Sequence, residues 1–289
     1  MSATTQKGYN LRPLWDAILE VYGEFDRVCT KHGIEYTAIG GTAIGAVRHN
    51  GFIPWDDDMD LGIKVEDFER FRTVAVQELP PYFKLVTWDN TKGYPNLFAK
   101  IADTRLDRLE EIRRESGLSI GQGVFIDLFL ISGIPNSFLG RAKRILSTLR
   151  VNAIRNFALN GFRGRNPMVF IKRLLGWMLS GFRHSAMTAN DYVAYLWQIG
   201  VNCPTQSCNY SGSYYGQSNR MYHFKVPTRC FNKTIRVAFE NTTLPLCVGF
   251  DEVVRAEYPD YLTLPPPEKQ VLLHSDQIDA PWLAQKGHI

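Results

Sequence analysis

The chain predicts an α+β fold, a mixed sheet flanked by helices, with a basic helical insertion. Three observations predict it. Segments with apolar residues at every third or fourth position are interspersed with short alternating or wholly apolar segments, the signatures of helix and strand. The strongest strand signal, Gly123–Ile131, embeds a single charge, Asp127, in an apolar run. Charge is also unevenly distributed. Between Asp127 and Asp191 there is no acidic residue, yet ten cations fall there: Arg141, Lys143, Arg144, Arg150, Arg155, Arg163, Arg165, Lys172, Arg173 and Arg183. The whole chain of 289 residues carries +4, so removing these ten leaves the rest at −6. The sequence therefore divides into a core over 1–136, a basic amphipathic helical module over 137–200, and a part over 201–289 that completes the core and its acceptor side.

Each element follows from local pattern. Leu14–Lys31 is predicted helical because Leu14, Ile18, Val21, Phe25 and Val28 share one face, and Gly33 stands where a C-terminal glycine cap belongs. Glu35–Gly40 predicts a short strand running into a glycine-rich turn. Asp58–Ile63 alternates, so a strand there sends Asp58 and Asp60 to one face and Met59 and Leu61 to the other. Glu66–Gln77 carries Phe68, Phe71 and Ala75 on one helical stripe. Phe83–Thr87 and Leu97–Ala102 predict strands. Ser137–Leu159, Asn166–Ser180 and Asn190–Ile199 predict helices, the second with Asn166 as N-cap, Pro167 at its first position and Gly181 beyond its end. Cys203–Asn219, rich in Asn, Ser, Gly and Tyr, predicts a loop. Thr234–Phe239 predicts a strand and Asp251–Tyr258 a short helix, stopped by Pro265-Pro266-Pro267.

The segment Gly40–Asp60 carries the chemistry. It ends in Asp56, Asp57, Asp58 and Asp60. Two like charges 4 Å apart oppose each other by ~1 kcal/mol in water, and by more in a drier site. A fold that gathers them supplies a cation, and carboxylates without a neighbouring His or Cys pair suit Mg²⁺ or Mn²⁺ rather than Zn²⁺. Asp127 would cost several kcal/mol to bury unless paired or metal-bound. It is the predicted third ligand beside Asp58 and Asp60, with Asp56, of the same parity, a further candidate. Ahead of the carboxylates, Gly40-Gly41-Thr42 lets backbone N–H groups approach a phosphate. A phosphate turn beside metal-binding carboxylates implies phosphoryl or nucleotidyl transfer; an acidic surface loop is the alternative. An EF-hand fails, because Leu61 stands where its glycine is required. No Walker A ending is present, and the glycine spacing does not fit a dinucleotide fingerprint.

The run Gly40-Gly41-Thr42 through Gly45-Ala46-Val47-Arg48-His49 and Gly51-Phe52-Ile53-Pro54-Trp55-Asp56-Asp57-Asp58-Met59-Asp60 resembles the LicD family of phosphotransferases. That family includes bacterial phosphorylcholine transferases and is related to the fukutin group. Phe98-Ala99-Lys100-Ile101, Gly123–Phe129, Phe239-Glu240, Tyr258-Pro259-Asp260-Tyr261 and Pro265–Glu268 match its later motifs in order. Pro259, where a glycine is usual, and Gln270, where an arginine is common, depart from it. The resemblance implies a nucleotidyltransferase-type fold with two metal-binding aspartates on one strand and a third on a neighbour. It also implies transfer of phosphocholine, or a related phospho-alcohol, from a CDP-activated donor such as CDP-choline to a sugar hydroxyl of a surface glycan or lipopolysaccharide, with loss of CMP. Asp58, Asp60 and Asp127 would hold the metal, and Asp127 is also the candidate base. Gly41 and Thr42, in the turn begun by Gly40, would cradle the diphosphate. Arg48 and Lys100 would clamp phosphate, although Arg48 equally fits an ion pair with the aspartates. The rival readings are transfer of a nucleoside monophosphate and a non-catalytic, membrane-docked glycan-binding module.

Other features set limits. Cys29, Cys203, Cys208, Cys230 and Cys247 are few and scattered, which excludes a disulfide framework and fits a reducing compartment. Met1–Asn10 lacks the apolar stretch of a signal peptide, so the sequons at Asn209, Asn232 and Asn241 read as chance matches. A cytoplasmic protein is expected, peripheral on the inner face of the cytoplasmic membrane if its basic helices meet anionic lipid. The competing expectation is that their apolar stripes pack on the core and their cations face water. Nucleic acid is not an expected partner, since the basic segment carries no recognised binding motif. Cys203, Cys208, His223 and Cys230 match no zinc spacing. Trp55 reads as packing rather than as a stacking platform, His49 as structural rather than catalytic, and Asp57 as pointing away from Asp58 and Asp60.

Overall fold

The computed structural model describes residues 10–92, 94, 96–117, 123–160, 171, 178, 189–216 and 221–272. Helix α1 (Arg12–His32) opens the chain and ends, as predicted, on Gly33 in the left-handed conformation with φ 59°. Strand β1 (Tyr36–Ala38) follows, then helix α2 (Gly40–His49), strand β2 (Asp60–Lys64), helix α3 (Val65–Glu78), strands β3 (Phe83–Val86) and β4 (Ala99–Asp103), helix α4 (Leu106–Ser116) and the long strand β5 (Val124–Ile134). Helices α5 (Phe138–Asn160) and α6 (Ala189–Val201) precede strands β6 (Tyr210–Tyr214), β7 (Tyr222–Pro227), β8 (Thr234–Phe239) and β9 (Thr242–Cys247), and helix α7 (Phe250–Arg255) closes the order.

The main sheet runs β1-β2-β5-β4-β3, with β6 and β7 added beside β5. It is mixed: β2 and β5 are parallel, and the other pairs are antiparallel. Strand β5 organises it. Ile131 pairs with Lys64 on one side and Ser213 on the other, so β6 occupies the edge that β4 leaves as it diverges. Residue parity on β5 decides the two faces. Ile126, Leu128 and Leu130 enter the main core with Leu61, Ile63 and Ile101, where α1 and α3 supply Val21, Phe25, Phe68 and Phe71. Phe129 and Ile131 face a second, smaller cluster with Ile39, Phe224, Phe231 and Val253. The β8–β9 hairpin docks on β1, with the Cys247 N–H donating to Thr37 Oγ1 over 2.8 Å.

Four sequence expectations change. Gly40-Gly41 opens a helix, not a free turn, because Ala43, Ile44 and Ala46 bury the face that follows. Asp58 lies just before β2, whose first residue is Asp60. Part of the expected loop Cys203–Asn219 is strand β6. Its polar residues are satisfied by tertiary partners, as where Ser211 Oγ meets Thr228 Oγ1 at 2.8 Å. Gly212 lets β7 approach, since a Cβ there would fall 2.2 Å from the Phe224 carbonyl oxygen. Helix α4 and strands β7 and β9 were not anticipated. The predicted helix Asn166–Ser180 lies outside the described residues except Ile171 and Met178, both exposed.

Candidate functional site

Strand register brings the site together. Asp60 on β2 is opposite Asp127 on β5, and Asp127 is opposite Lys100 on β4. Three charged residues thus lie in a row across adjacent strands, on the face turned away from the main core. The parallel pairing is locked at that point, because the Asp127 N–H donates to the Met59 carbonyl over 2.8 Å. Lys100 Nζ lies 2.8 Å from Asp127 Oδ1, and the two side chains keep 4% and 9% of their surface exposed. Lys100 also sits over the Phe125 ring, 3.3 Å from its centroid.

Asp56, Asp57 and Asp58 approach along the loop before β2, and each can present a carboxylate oxygen within 4.8 Å of the others. Asp57 therefore joins the group, contrary to the expectation that it points away. The loop is held from outside: Trp15 Nε1 donates to the Asp56 carbonyl over 2.8 Å, and the Trp15 ring stacks on Phe52 at 5.2 Å. Helix α2 points its N-terminus at the carboxylates. Gly40 has φ +52°, and a Cβ on it would come within 3.1 Å of Asp60 Oδ2; one on Gly41 would lie 2.7 Å from Asp56 Oδ2. Only glycine lets this helix end come so close, and its unpaired N–H groups and dipole favour negative charge there. Thr42 Oγ1 accepts the Asp60 N–H over 2.8 Å, fixing the start of β2.

The electrostatic cost is visible in the carboxyls. Burial first, then the charges of Asp58, Asp127 and Asp56, push Asp60 well above the usual carboxylate range, while Lys100 pulls it back. Burial, then Asp58 and Asp57, raise Asp56 in the same way. A divalent cation would relieve this repulsion, and an all-oxygen set is the donor chemistry of Mg²⁺ or Mn²⁺. The residues present fit such an ion.

The predicted phosphate clamps separate. Lys100 is at the carboxylates. Arg48 is not: it lies in the last turn of α2, about 12 Å of helix rise beyond Gly40, and donates to the carbonyls of Tyr261 at 2.8 Å and Thr263 at 3.4 Å. It fastens the C-terminal segment to α2. His49 packs edge-on to Trp55 at 6.4 Å, and Trp55 packs against the main core, as expected of structural residues. The Cys/His set does not gather as one group: Cys203 and Cys208 are side-chain neighbours, Cys230 is in the second apolar cluster, and His223 lies 3.7 Å from Glu257 and beside Tyr215. All five cysteines are free thiols.

An aromatic group beside the carboxylates was missed. Phe98 stacks on Phe129 at 4.6 Å, Phe129 meets His223 at 5.2 Å, and His223 meets Tyr215 at 4.4 Å. All four are half-buried, and Glu257 borders them. A signal for part of this group was present: Phe125 and Phe129 share strand parity with Asp127. His223 and Tyr215 reach the site only through the β6–β7 hairpin, which carried no strand signal.

Comparison with known proteins identifies the family. A family model described as the LicD/FKTN/FKRP nucleotidyltransferase domain matches residues 33–110, which span α2, the acidic loop and β2 to β4. The lipopolysaccharide cholinephosphotransferase LicD of Haemophilus influenzae is 30% identical over 274 residues, covering 91% of this chain and 96% of that protein. An uncharacterised protein of Rickettsia prowazekii is 33% identical over 91 residues, 32% of each chain. The human ribitol 5-phosphate transferase FKRP is 54% identical over 35 residues, 12% of this chain and 7% of that one. With near full-length similarity to the Haemophilus enzyme added to the family match over the acidic loop, the chain belongs to the LicD family of phosphotransferases.

Proposed function

We propose that the protein transfers a phospho-alcohol from a CDP-activated donor to a sugar hydroxyl of a cell-surface or lipid-linked glycan, on a nucleotidyltransferase-type core. The observation that carries this is the gathering of Asp56, Asp57 and Asp58 in one loop, with Asp56 and Asp60 against Gly41 and Gly40 at the N-terminus of α2 and Asp127 beside Asp60 across the sheet. One end of such a site takes a metal and the other a diphosphate. Asp58, Asp60 and Asp127, with Asp56, would hold Mg²⁺ or Mn²⁺, and the bound ion would supply charge neutralisation at the transferring phosphoryl group. Gly40, Gly41 and Thr42 place backbone donors where phosphate oxygens arrive. Lys100 fixes the Asp127 carboxylate through its 2.8 Å ion pair and adds a positive charge beside the phosphates. Asp127, where it is not committed to the metal, would serve as the base for the acceptor hydroxyl, and positioning and electrostatics would carry most of the catalysis.

The aromatic group favours a particular alcohol. Ring faces and a carboxylate attract an organic cation, and they offer a polyol few hydrogen bonds. Phe98, Phe129, His223, Tyr215 and Glu257 therefore favour phosphocholine over ribitol or glycerol phosphate, in line with the relative named as a cholinephosphotransferase.

CMP release from CDP-choline, CDP-ribitol and CDP-glycerol, each with and without Mg²⁺ or Mn²⁺, tests the proposal. Metal-dependent CMP is expected, greatest from CDP-choline, and lost by at least about a hundredfold in Asp58→Asn and Asp127→Asn. Pyrophosphate from a nucleoside triphosphate, with no CMP, would instead establish nucleotidyl transfer. A preference for CDP-ribitol would remove the assignment of the aromatic group.

A further inference from the structure

Helix α5 is amphipathic in the inverted sense. Its inward side carries buried polar groups beside Ile154. Arg144 is buried, donating to the Gly133 carbonyl over 2.8 Å, to Tyr222 Oη over 2.9 Å and to Asn202 Oδ1 over 2.8 Å. One turn on, Thr148 Oγ1 meets Tyr214 Oη at 2.8 Å, and Asn152 donates to the Gly216 carbonyl over 2.8 Å. The outward side is apolar: Phe138 and Leu139 are 75% and 78% exposed, Leu146 is 65% exposed, and Ile145 and Leu149 are exposed as well. At about 100° per residue these five fall within a stripe roughly 120° wide. Arg141 borders it on one side, and Lys143 and Arg150 border it on the other; all three are exposed.

Water is a poor solvent for such a stripe, and an exposed apolar patch of this kind marks an interaction surface. Charge decides the occupant. No acidic residue lies between Asp127 and Asp191. A second copy docked on this face would set cation against cation. We infer that α5 lies on an anionic lipid bilayer, with its apolar stripe in the headgroup–acyl boundary and Arg141, Lys143 and Arg150 on lipid phosphates. The contact is peripheral: among the described residues no helix is long and apolar enough to cross a membrane. The polar inward anchors have a mechanical consequence. Arg144 is tied to the C-terminal end of β5, and Asn152 to Gly216, which lies against Leu97 just ahead of β4. The helix therefore runs back along the sheet toward the end that holds Asp127 and Lys100.

Flotation of the full-length protein with phosphatidylcholine vesicles, with and without phosphatidylglycerol, tests this. Wild type is expected to float with the anionic vesicles only, and to be released in part by high salt. Leu139→Asp with Leu146→Asp, and separately Lys143→Glu with Arg150→Glu, should each weaken flotation by at least about tenfold, because each basic residue and each buried apolar side chain contributes on that scale. Both variants alter exposed side chains, so thermal melts and CMP release from CDP-choline should match wild type. If the leucine variant fails to fold, the charge variant decides alone. Asp58→Asn should lose CMP release and still float, which separates failure of the docking surface from failure of the transferase reading. Wild type that ignores anionic vesicles, or variants that float as well as it does, would overturn the inference. So would a wild-type dimer in sedimentation that the leucine variant dissociates without any vesicle binding.

Discussion

Asp56 and Asp60 carry the electrostatic cost of the site, and pH exposes it. Their carboxyls titrate well above the ordinary Asp value of about 3.9, chiefly because of burial and then the neighbouring aspartates. From that value up to the raised folded values, the folded state binds more protons than the unfolded chain, so stability falls as pH rises through the window. A divalent cation bound by these carboxylates would favour the ionised form and reverse the loss. Thermal melts between about pH 5 and about pH 8 should show a Mn²⁺-induced rise in Tm that grows with pH. Asp60→Asn should flatten the metal-free slope. A Mn²⁺ effect that is constant across this range would mean that the ion binds elsewhere. At this scale the sequence was legible in part. The cross-strand neighbourhood of Asp60 and Asp127 was expected from strand parity and from the lone charge in β5. The inclusion of Asp57 was not, because Asp56–Asp58 lie in irregular backbone before β2, where alternation sets no direction. The place of Arg48 was not legible either, because proximity in sequence to the acidic run says nothing about the opposite ends of a ten-residue helix.

Single elements are held to the site by contacts distant in sequence, and the β8–β9 hairpin shows this best. Glu240 at its turn adopts φ +51°, the left-handed region that glycine enters readily. Its carboxylate accepts the Phe52 N–H over 3.1 Å and the Arg12 guanidinium over 2.8 Å, and its own N–H donates to the Asn50 carbonyl over 2.8 Å. Phe239 packs edge-on to Phe52 at 4.9 Å. The hairpin thus latches the loop that leads into Asp56–Asp58. Gly51 belongs to the same arrangement, since a Cβ there would meet Glu240 Oε1 at 2.2 Å. Glu240→Ala should destabilise by about 1–3 kcal/mol through the unsatisfied Phe52 N–H. Glu240→Gly should lose less, by up to ~1 kcal/mol, because it relieves the left-handed backbone. Urea denaturation of the three proteins checks the order; equal losses would mean that the turn is unstrained.

Across the whole molecule, the part after residue 136 is woven into what precedes it. Strand β6 pairs with β5, β9 docks on β1, and Trp197 of α6 packs on Phe68 and Trp88 at 5.6 and 5.7 Å. A fragment ending at residue 136 would expose Ile131, Phe68 and the β1 edge together. Proteolysis and far-UV circular dichroism should find it without a cooperative melt. A well-folded fragment would show that the core over 1–136 stands alone. Charge is segregated at the same scale, with the basic segment standing apart from an acidic remainder.

The sequence by itself determined the α+β class, the main helices and strands, the carboxylate set and the basic segment. Each of these is written in local periodicity or composition, which tertiary contacts do not override in long or strongly patterned stretches. Only the tertiary structure decided that Gly40-Gly41 begins a helix aimed at the aspartates, that Lys100 pairs with Asp127, that aromatic rings from β5 and the β6–β7 hairpin meet beside them, and that α5 turns polar groups inward. The reason is physical. Strand register, helix direction and the partner of a polar side chain are set by groups tens to hundreds of residues away, and a short window of sequence contains none of them.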